Sequence, residues 1–173
     1  NELSIICERE GINVWELIRL ANRHPRVNIL QPGAGVGGHC IAVDPWFIVA
    51  SASENAKLIR TAREVNDNKP EWILEKVNCA AAEFSAIHGG KEPVIAALGL
   101  SFKPDIDDLR ESPALRIAQA LHRVHGDRLI AVEPNIEADQ QLFMGAQLAT
   151  LQDAIQRANI LIVLVRHTAF QTL

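Results

Sequence analysis

Apolar residues recur with the period of an α-helix through the first half of the chain. Residues 1–22 hold two such stretches, and Gly11 and Asn13 between them are typical signals for the end of one helix and the start of the next. Residues 54–87 form one longer helical pattern, in which Pro70 must either kink the helix or begin a new one. A helix of this length with a broad apolar face is either a core helix or a subunit contact.

The pattern changes after residue 90. Three short apolar runs, typical of buried parallel strands, lie at residues 93–100, 128–134 and 159–165. Helical patterns separate these runs, and the first helix opens at Ser112 with a proline directly behind it. Alternation of strand and helix predicts a Rossmann-like, doubly wound parallel sheet. We therefore expect an α/β protein, with an all-helical region over residues 1–90 and an α/β domain over residues 91–173.

Composition restricts the classes of function. The chain has 173 residues, of which 48% are hydrophobic and 22% charged, as in ordinary globular domains. A net charge of −4 without a block of basic residues argues against general nucleic-acid binding. No apolar run reaches the ~20 residues that span a bilayer. The three cysteines form no C-x-x-C pair and no signal-peptide pattern is present, so we expect reduced thiols in a cytoplasmic protein.

The stretch PGAGVGGHC, residues 32–40, is open to two interpretations. Its glycines satisfy G-x-G-x-x-G, and Glu54 follows at about the spacing of a dinucleotide fingerprint, roughly 20 residues. Such a loop needs a strand before it and a helix that opens directly at the third glycine. Here the pair Asp44-Pro45 follows too soon for that crossover helix. The dinucleotide interpretation therefore fits poorly.

The other interpretation is a flexible frame around a reactive thiol. Glycines leave main-chain N–H groups free to meet developing negative charge, and Cys40 directly follows them, with Asp44 four residues further on. A free cysteine is more commonly a small buried hydrophobe, which we expect for Cys7 and Cys79 on apolar helix faces. A zinc site at Cys40 and its neighbour His39 lacks a further ligand pair. The residues alone leave Cys40 between nucleophile and packing residue.

Two motifs together carry a family resemblance. GAGVGGHCIAVD, residues 33–44, resembles the nucleophile motif of the UDP-glucose/GDP-mannose dehydrogenase family. FKPDIDDLRESP, residues 102–113, is similar to the second signature of that family. Both stand in the order and at about the spacing of the family. The flanking segments ANRHPRVNIL and HCIAVDPWFIVA resemble the branch whose substrate is UDP-N-acetyl-D-mannosamine.

The resemblance implies a domain order. In the family, an NAD-binding Rossmann domain precedes a helical central domain and a UDP-binding α/β domain. The chain is then expected to hold most of the central and UDP-binding domains, to lack the NAD-binding domain, and not to turn over by itself. The family also implies NAD as cofactor, a UDP-sugar substrate and a homodimer through the central helices, without nucleic acid or membrane as a partner. Another UDP-hexosamine, such as UDP-N-acetylglucosamine, is the alternative substrate, and a UDP-binding and dimerisation module is the alternative role.

Catalytic roles follow from the resemblance at matching positions. Cys40 is implied as the nucleophile of a four-electron oxidation, in which it captures the sugar aldehyde as a thiohemiacetal and later carries a thioester. Asp44 is expected to assist water or to hold the loop. Gly37 is expected to line the sugar site, where a side chain would collide with the substrate.

Binding roles are implied for the second motif. Phe102 and Lys103 are expected to contact the nucleotide sugar, with the ammonium group as a point charge for phosphate or sugar oxygens. Arg110 is expected to contact the cofactor, and the alternative for it is an ion pair with Asp107 or Asp108.

Two further residues belong to the segment HPRVN. His24 and Arg26 are expected to reach the substrate of the neighbouring subunit, although His24 also suits the carboxyl end of a helix.

Val43 stands where many members of the family carry lysine, which argues against plain UDP-glucose as substrate. Ala34 replaces a proline that is frequent in this branch, and we expect that change to affect the stiffness of the loop.

Overall fold

A computed structural model describes residues 1–136, 148–171 and 173 of the chain. The chain forms six α-helices and three strands in this part. In chain order they are α1 (Glu2–Arg9), α2 (Val14–Ala21), α3 (Asp44–Ser51), α4 (Lys57–Ile87), β1 (Ile95–Leu98), α5 (Pro113–His125), β2 (Leu129–Val132), α6 (Leu151–Arg157) and β3 (Ile160–Val163). Short 3-10 turns lie at Gly126–Arg128 and Thr168–Phe170.

The first two helices begin and end where the pattern predicts. Gly11 has a φ of +67°, a left-handed conformation that glycine adopts without strain, and it lies just after the end of α1. The Asn13 side chain then accepts hydrogen bonds from the N–H groups of Trp15 and Glu16 and caps α2. These two signals give two separate helices instead of one.

The long helix α4 runs over 31 residues, and Pro70 lies inside it. The expectation that a new helix begins at Pro70 is wrong, because α4 continues through this residue. Proline has no N–H group, so the carbonyl four residues earlier, at Asn66, lacks its usual helical donor. No helix in the described residues is both long enough and apolar enough to cross a membrane.

The sheet is parallel, with strand order β2-β1-β3. All four residues of β1 are fully buried. Because side chains alternate along a strand, Ile95 and Ala97 pack on α5 and α4, whereas Ala96 and Leu98 pack on α6. Helices on both faces confirm the doubly wound arrangement that the alternation predicts.

The two halves of the chain share one hydrophobic core. Val77 and Ala81 of α4 belong to the same buried cluster as Ile117 and Leu121 of α5. Helix α4 therefore packs against α5 of the α/β half. The boundary near residue 90 stays a prediction, and it falls in the short connection between α4 and β1.

Lys69 is an unusual member of the core face of α4. It is only 3% exposed, and its Nζ donates to the Ser4 hydroxyl at 2.8 Å and lies 3.4 Å from the centre of the Trp72 ring. Burial lowers the pKa of Lys69 from 10.5 to about 8, and Glu8 acts weakly in the opposite direction. A buried ammonium group without a carboxylate in contact reduces stability.

We predict that Lys69→Met removes part of the pH dependence of folding. Between about pH 8 and pH 10.5 folded Lys69 has lost its proton while the unfolded chain keeps it, so stability of the wild type rises with pH there. The stability gained by Lys69→Met should be largest below pH 8 and shrink toward pH 10. Urea unfolding of both proteins at pH 7, 8, 9 and 10 measures this difference.

Lys76→Met is the matched control on the same helix. A hydrogen bond with Glu8 raises the pKa of Lys76 above 10.5, so its stabilising effect is constant up to that pH. It should therefore leave the slope between pH 8 and 10 unchanged. An equal slope in Lys69→Met and the wild type would contradict the prediction.

Candidate functional site

Helix α4 forms hydrogen bonds with the glycine-rich loop, residues 32–40. The side-chain amide of Asn66 accepts a hydrogen bond from Val36 N–H at 2.7 Å and donates one to Val36 C=O at 3.1 Å. Asn1 joins this arrangement, since its Oδ1 accepts from Gly33 N–H at 3.1 Å and its Nδ2 donates to Asn66 Oδ1 at 2.8 Å. A loop without regular structure is thus fixed by two asparagine amides.

A second contact with α4 lies on the other side of Cys40. Arg63 is 8% exposed, and its Nη1 lies 3.4 Å from the carbonyl oxygen of Ile41. Its Nη2 donates to Asp67 at 2.6 Å, while its buried Nε has no hydrogen-bond partner in the described residues. Arg63 and Asn66, one helical turn apart, therefore hold the main chain before and after the thiol.

These α4 residues were missed in the sequence analysis. The available signal is the spacing of three polar residues on the core face of the helix, Arg63, Asn66 and Lys69, each three residues from the next. All three are buried. Polar side chains at core-facing positions need partners, so such a stripe indicates a loop or ligand packed against the helix.

Cys40 lies in a turn that leads into α3. Its carbonyl accepts hydrogen bonds from the N–H groups of Val43 at 3.0 Å and Asp44 at 2.8 Å. Its side chain is exposed, and Sγ lies 3.6 Å from Nδ1 of His39. Asp44 is exposed in the first turn of α3. The interpretation of Cys40 as a buried packing residue is therefore wrong.

The other two cysteines differ from each other. Cys7 is buried in α1 as predicted, but Cys79 is exposed, which contradicts the prediction of a buried hydrophobe. Val77 and Ala81, four residues apart, define the core face of α4. Cys79 lies midway between them in sequence and hence about 200° around the helix from each, on the opposite side.

The second motif packs directly on the glycine loop. A Cβ added at Gly37 would collide with the carbonyl oxygen of Glu111 and lie 2.7 Å from Cδ of Pro113. Gly38, with a φ of +99°, would bring a Cβ to 3.1 Å from the ring of Phe102. A side chain at Gly37 thus meets the protein itself, whereas the expectation that it meets the substrate stays untested.

Arg110 forms an ion pair with Asp108, as the alternative for it predicts. Its Nε lies 3.0 Å from Oδ1 and its Nη2 lies 2.7 Å from Oδ2 of that carboxylate. Hydrogen bonds from the Arg110 side chain and N–H lower the pKa of Asp108 to about 2, with His39 as a minor influence. The same ion pair raises the pKa of Arg110, with Cys40 as a minor influence in the same direction.

The remaining predicted residues are exposed. Lys103 carries its ammonium group at the surface of the second motif, with its carbonyl held by Ser101 Oγ at 2.7 Å. His24 lies in the turn after α2, where its Nδ1 accepts from Arg26 N–H at 3.3 Å. No hydrogen bond or ion pair joins His24 or Arg26 to the glycine loop within the described residues.

The site therefore brings together one part of the predicted set. Cys40, Gly37, Phe102 and Arg110 lie around the packed motifs, while His24 and Arg26 belong to a separate turn. In residues 1–136 and 148–171 no group of three or more His, Cys, Asp or Glu side chains is arranged to hold a metal ion. The site offers an exposed thiol in a glycine loop that packs on the second motif, and an exposed arginine within that motif.

Known proteins are similar to this chain over its whole length. UDP-N-acetyl-D-mannosamine dehydrogenase of Salmonella typhi is 57% identical over all of this chain, which covers 42% of that protein. NDP-N-acetyl-D-galactosaminuronic acid dehydrogenase of Ralstonia nicotianae is also 57% identical, with 40% of its length covered. The solved structure of UDP-D-ManNAc dehydrogenase from Pyrococcus horikoshii matches 99% of the chain with a TM-score of 0.82 at 32% identity, and 38% of that structure is covered.

The chain spans about two fifths of the length of these curated relatives. Residues 1–68 match the central domain of the UDP-glucose/GDP-mannose dehydrogenase family, and residues 96–173 match its UDP binding domain. Both matches come from one family and follow its order, and each includes one of the two motifs. The chain therefore belongs to the UDP-glucose/GDP-mannose dehydrogenase family.

Proposed function

We propose that this chain is the nucleophile-bearing and nucleotide-sugar-binding part of an NAD-dependent 6-dehydrogenase that oxidises UDP-N-acetyl-D-mannosamine to the corresponding uronate. The observation that carries the proposal is the exposed Cys40 thiol, held in a glycine loop against the FKPDIDDLRESP motif. Relatives with 56–57% identity carry the name of this activity. The three free cysteines support a cytoplasmic location.

Cys40 supplies covalent capture in this proposal. The sugar C6 alcohol loses a hydride and a proton, and the Cys40 thiolate adds to the aldehyde carbon that results. The thiohemiacetal loses a second hydride and its hydroxyl proton to become a thioester, which water hydrolyses to the uronate and free Cys40. Capture keeps a reactive aldehyde on the enzyme between the two oxidations. Asp44, one helical turn after the thiol, would orient the water or hold the loop.

One residue of the chain fits the cofactor. The Arg110 side chain is 66% exposed, and a guanidinium suits the paired oxygens of a pyrophosphate. Asp108 holds its Nε and Nη2 and so fixes the plane of the group. When bound, NAD⁺ supplies the hydride acceptor for each oxidation, and Arg110 would help to hold it.

A second substrate has its own support. The relative named for N-acetyl-D-galactosaminuronic acid is as similar to this chain as those named for N-acetyl-D-mannosamine. The sugars differ in the orientation of ring substituents, which a few side chains at the site must distinguish. Another UDP-N-acetylhexosamine is therefore the alternative substrate.

The test uses the longer protein that contains this chain. We expect two NADH for each UDP-N-acetyl-D-mannosamine consumed, because one four-electron oxidation requires two hydride transfers. Cys40→Ala should lower uronate formation by more than about three orders of magnitude, as loss of a nucleophile commonly does. Cys79→Ala, an exposed cysteine on the far side of α4, is the control and should retain full activity.

The outcomes separate the parts of this proposal. One NADH per sugar would remove the thioester route, as would normal uronate yield from Cys40→Ala. Two NADH with UDP-N-acetylgalactosamine or UDP-N-acetylglucosamine as the only active sugar would keep the mechanism and replace the substrate. If no UDP-sugar yields NADH, the proposal of a dehydrogenase is wrong.

We predict that Gly37→Ala separates the two motifs. Its methyl group would collide with the Glu111 carbonyl, so the loop must move, at a cost of about 1–3 kcal/mol in unfolding free energy. UDP affinity and activity should fall with it. Gly33→Ala is the matched control, because nothing lies within 4 Å of its added Cβ. Thermal unfolding and UDP titration of both variants measure the difference, and equal behaviour would contradict the prediction.

We also propose a homodimer through the central helices. Leu58 and Ile87 of α4 are 82% and 79% exposed, and Phe47 of α3 is 68% exposed. Apolar side chains that open to water on a helix roughly 46 Å long are typical of a subunit contact. Light scattering at tens of micromolar should give a dimer mass, and Leu58→Glu should shift it toward the monomer. A wild-type monomer at that concentration would contradict the dimer.

A further inference from the structure

Two buried ionisable side chains lie at the carboxyl end of the sheet, outside the motifs. Glu133 directly follows β2, and His167 follows β3. The side chains of both are fully buried, and His167 Nε2 lies 3.0 Å from Glu133 Oε2. A buried carboxylate is expensive unless donors surround it, so its partners show what it holds in place.

Glu133 is surrounded by main-chain donors. Its Oε2 accepts from the N–H groups of Leu100 at 2.7 Å and Ser101 at 3.1 Å, in addition to His167. Its Oε1 accepts from the N–H of Asn135 at 3.1 Å and from Nδ2 of the same residue at 3.3 Å. Both oxygens are therefore occupied by groups of the protein, and the first two donors lie immediately before Phe102.

His167 holds the other side of the same loop. Its Nδ1 accepts from the N–H of Asp105 at 2.9 Å, so the ring proton lies on Nε2, which donates to Glu133. The Asp105 carboxylate in turn accepts from Thr168 N–H at 2.8 Å and Thr168 Oγ1 at 2.7 Å. These two bonds lower the pKa of Asp105. They also hold a residue whose φ is +60°, which is rare for a residue other than glycine.

The loop between these anchors carries Phe102 and Lys103. Main-chain hydrogen bonds fix residues 100 and 101 on one side and Asp105 on the other. Lys103 itself is held at its carbonyl by Ser101 Oγ. Its ammonium group stays at the surface, free of the anchors. The positions of both side chains relative to the glycine loop thus depend on two residues that no ligand can touch.

The position of Glu133 has a known use in related folds. In a dinucleotide-binding Rossmann half, an acid at the end of the second strand accepts hydrogen bonds from a ribose hydroxyl. Here the carboxylate follows the second strand but is fully buried and has five protein donors. It has no lone pair directed to a ribose, and it serves the loop instead.

We propose that Glu133 and His167 are positioning residues for the uridine nucleotide, which hold the main chain of residues 100–105 so that Phe102 and Lys103 meet the ligand, and that Glu133 is not a ribose ligand. The inference rests on the proposed role of Phe102 and Lys103. It predicts that substitutions that break the hydrogen bonds of Glu133 or His167 weaken UDP binding more than they lower kcat.

Glu133→Gln in the longer protein tests this inference. An amide nitrogen would face the N–H groups of Leu100 and Ser101, or that of Asn135, so in either orientation a donor meets a donor. We expect the Kd of UDP and the KM of the UDP-sugar to rise about tenfold. At saturating sugar kcat should stay within about threefold of the wild type, and the KM of NAD⁺ should not change.

Thr168→Val is a milder second variant at an exposed position. It removes one hydrogen bond to Asp105 and keeps the main-chain bond, so it should fold normally even if Glu133→Gln does not. Its UDP Kd should rise about threefold. Asn159→Ala is the matched control, because Asn159 Oδ1 accepts from Val94 N–H at 2.9 Å at the opposite end of β1. It should lower the melting temperature and leave the UDP Kd unchanged.

Each outcome decides something. Wild-type UDP affinity in a folded Glu133→Gln or Thr168→Val would overturn the inference, as would an equal loss in Asn159→Ala. Wild-type protein that binds UDP but yields no NADH from any UDP-sugar would remove the dehydrogenase proposal, and the UDP titrations would still decide the role of Glu133. Wild-type protein that does not bind UDP would overturn both.

Discussion

The contact between Gly37 and the carbonyl of Glu111 is the constraint on which the site depends. The space between these atoms does not admit a Cβ, so only glycine lets the two motifs meet at this distance. Gly37 lies in the first half of the chain and Glu111 in the second. Their packing brings the loop that carries the exposed thiol of Cys40 against the second motif, where a Cβ at Gly38 would lie 3.1 Å from the Phe102 ring.

Helix α4 makes this packing possible because its core face is polar where the loop crosses it. Asn66 replaces the hydrogen bonds that Val36 would make in a strand, and Arg63 reaches the carbonyl after the thiol. Pro70 leaves the Asn66 carbonyl without a helical donor, and this carbonyl faces Gly35, whose Cβ would lie 3.6 Å away. A proline that looks like a defect in the helix thus lies at the point where the loop approaches it.

The carboxyl end of the sheet supports the second motif in a different way. Glu133 and His167 are buried, but they form hydrogen bonds with each other, with Asn135 and with the main chain of residues 100–105. The glycine loop is therefore fixed by steric fit, whereas the loop at the carboxyl end of the sheet is fixed by hydrogen bonds to a buried carboxylate. At the glycine loop, absent side chains allow close approach, whereas at the sheet a buried carboxylate collects N–H groups that a turn would otherwise leave without partners.

Local signals were sufficient for much of the fold. Asn13 and Ser112 cap the helices that they were expected to cap, and the apolar runs became β1, β2 and β3 because strand and helix periods are properties of short segments. The residues of the two motifs also indicated the family, and residues 1–68 and 96–173 match its central and UDP binding domains.

Only the tertiary structure decided which residues hold the site together. Cys79 proved exposed because Val77 and Ala81 place the opposite side of α4 in the core, and α4 continues through Pro70 as one helix. Asn66 belongs to a local stripe of polar residues, but the Val36 main chain that it holds lies 30 residues away, and the N–H groups of Leu100 and Asp105 lie 33 and 62 residues from Glu133 and His167. By itself the sequence determined the elements and the chemistry of the motifs. Long-range packing decided which groups meet, because hydrogen bonds and steric limits act between atoms that only the folded chain brings together.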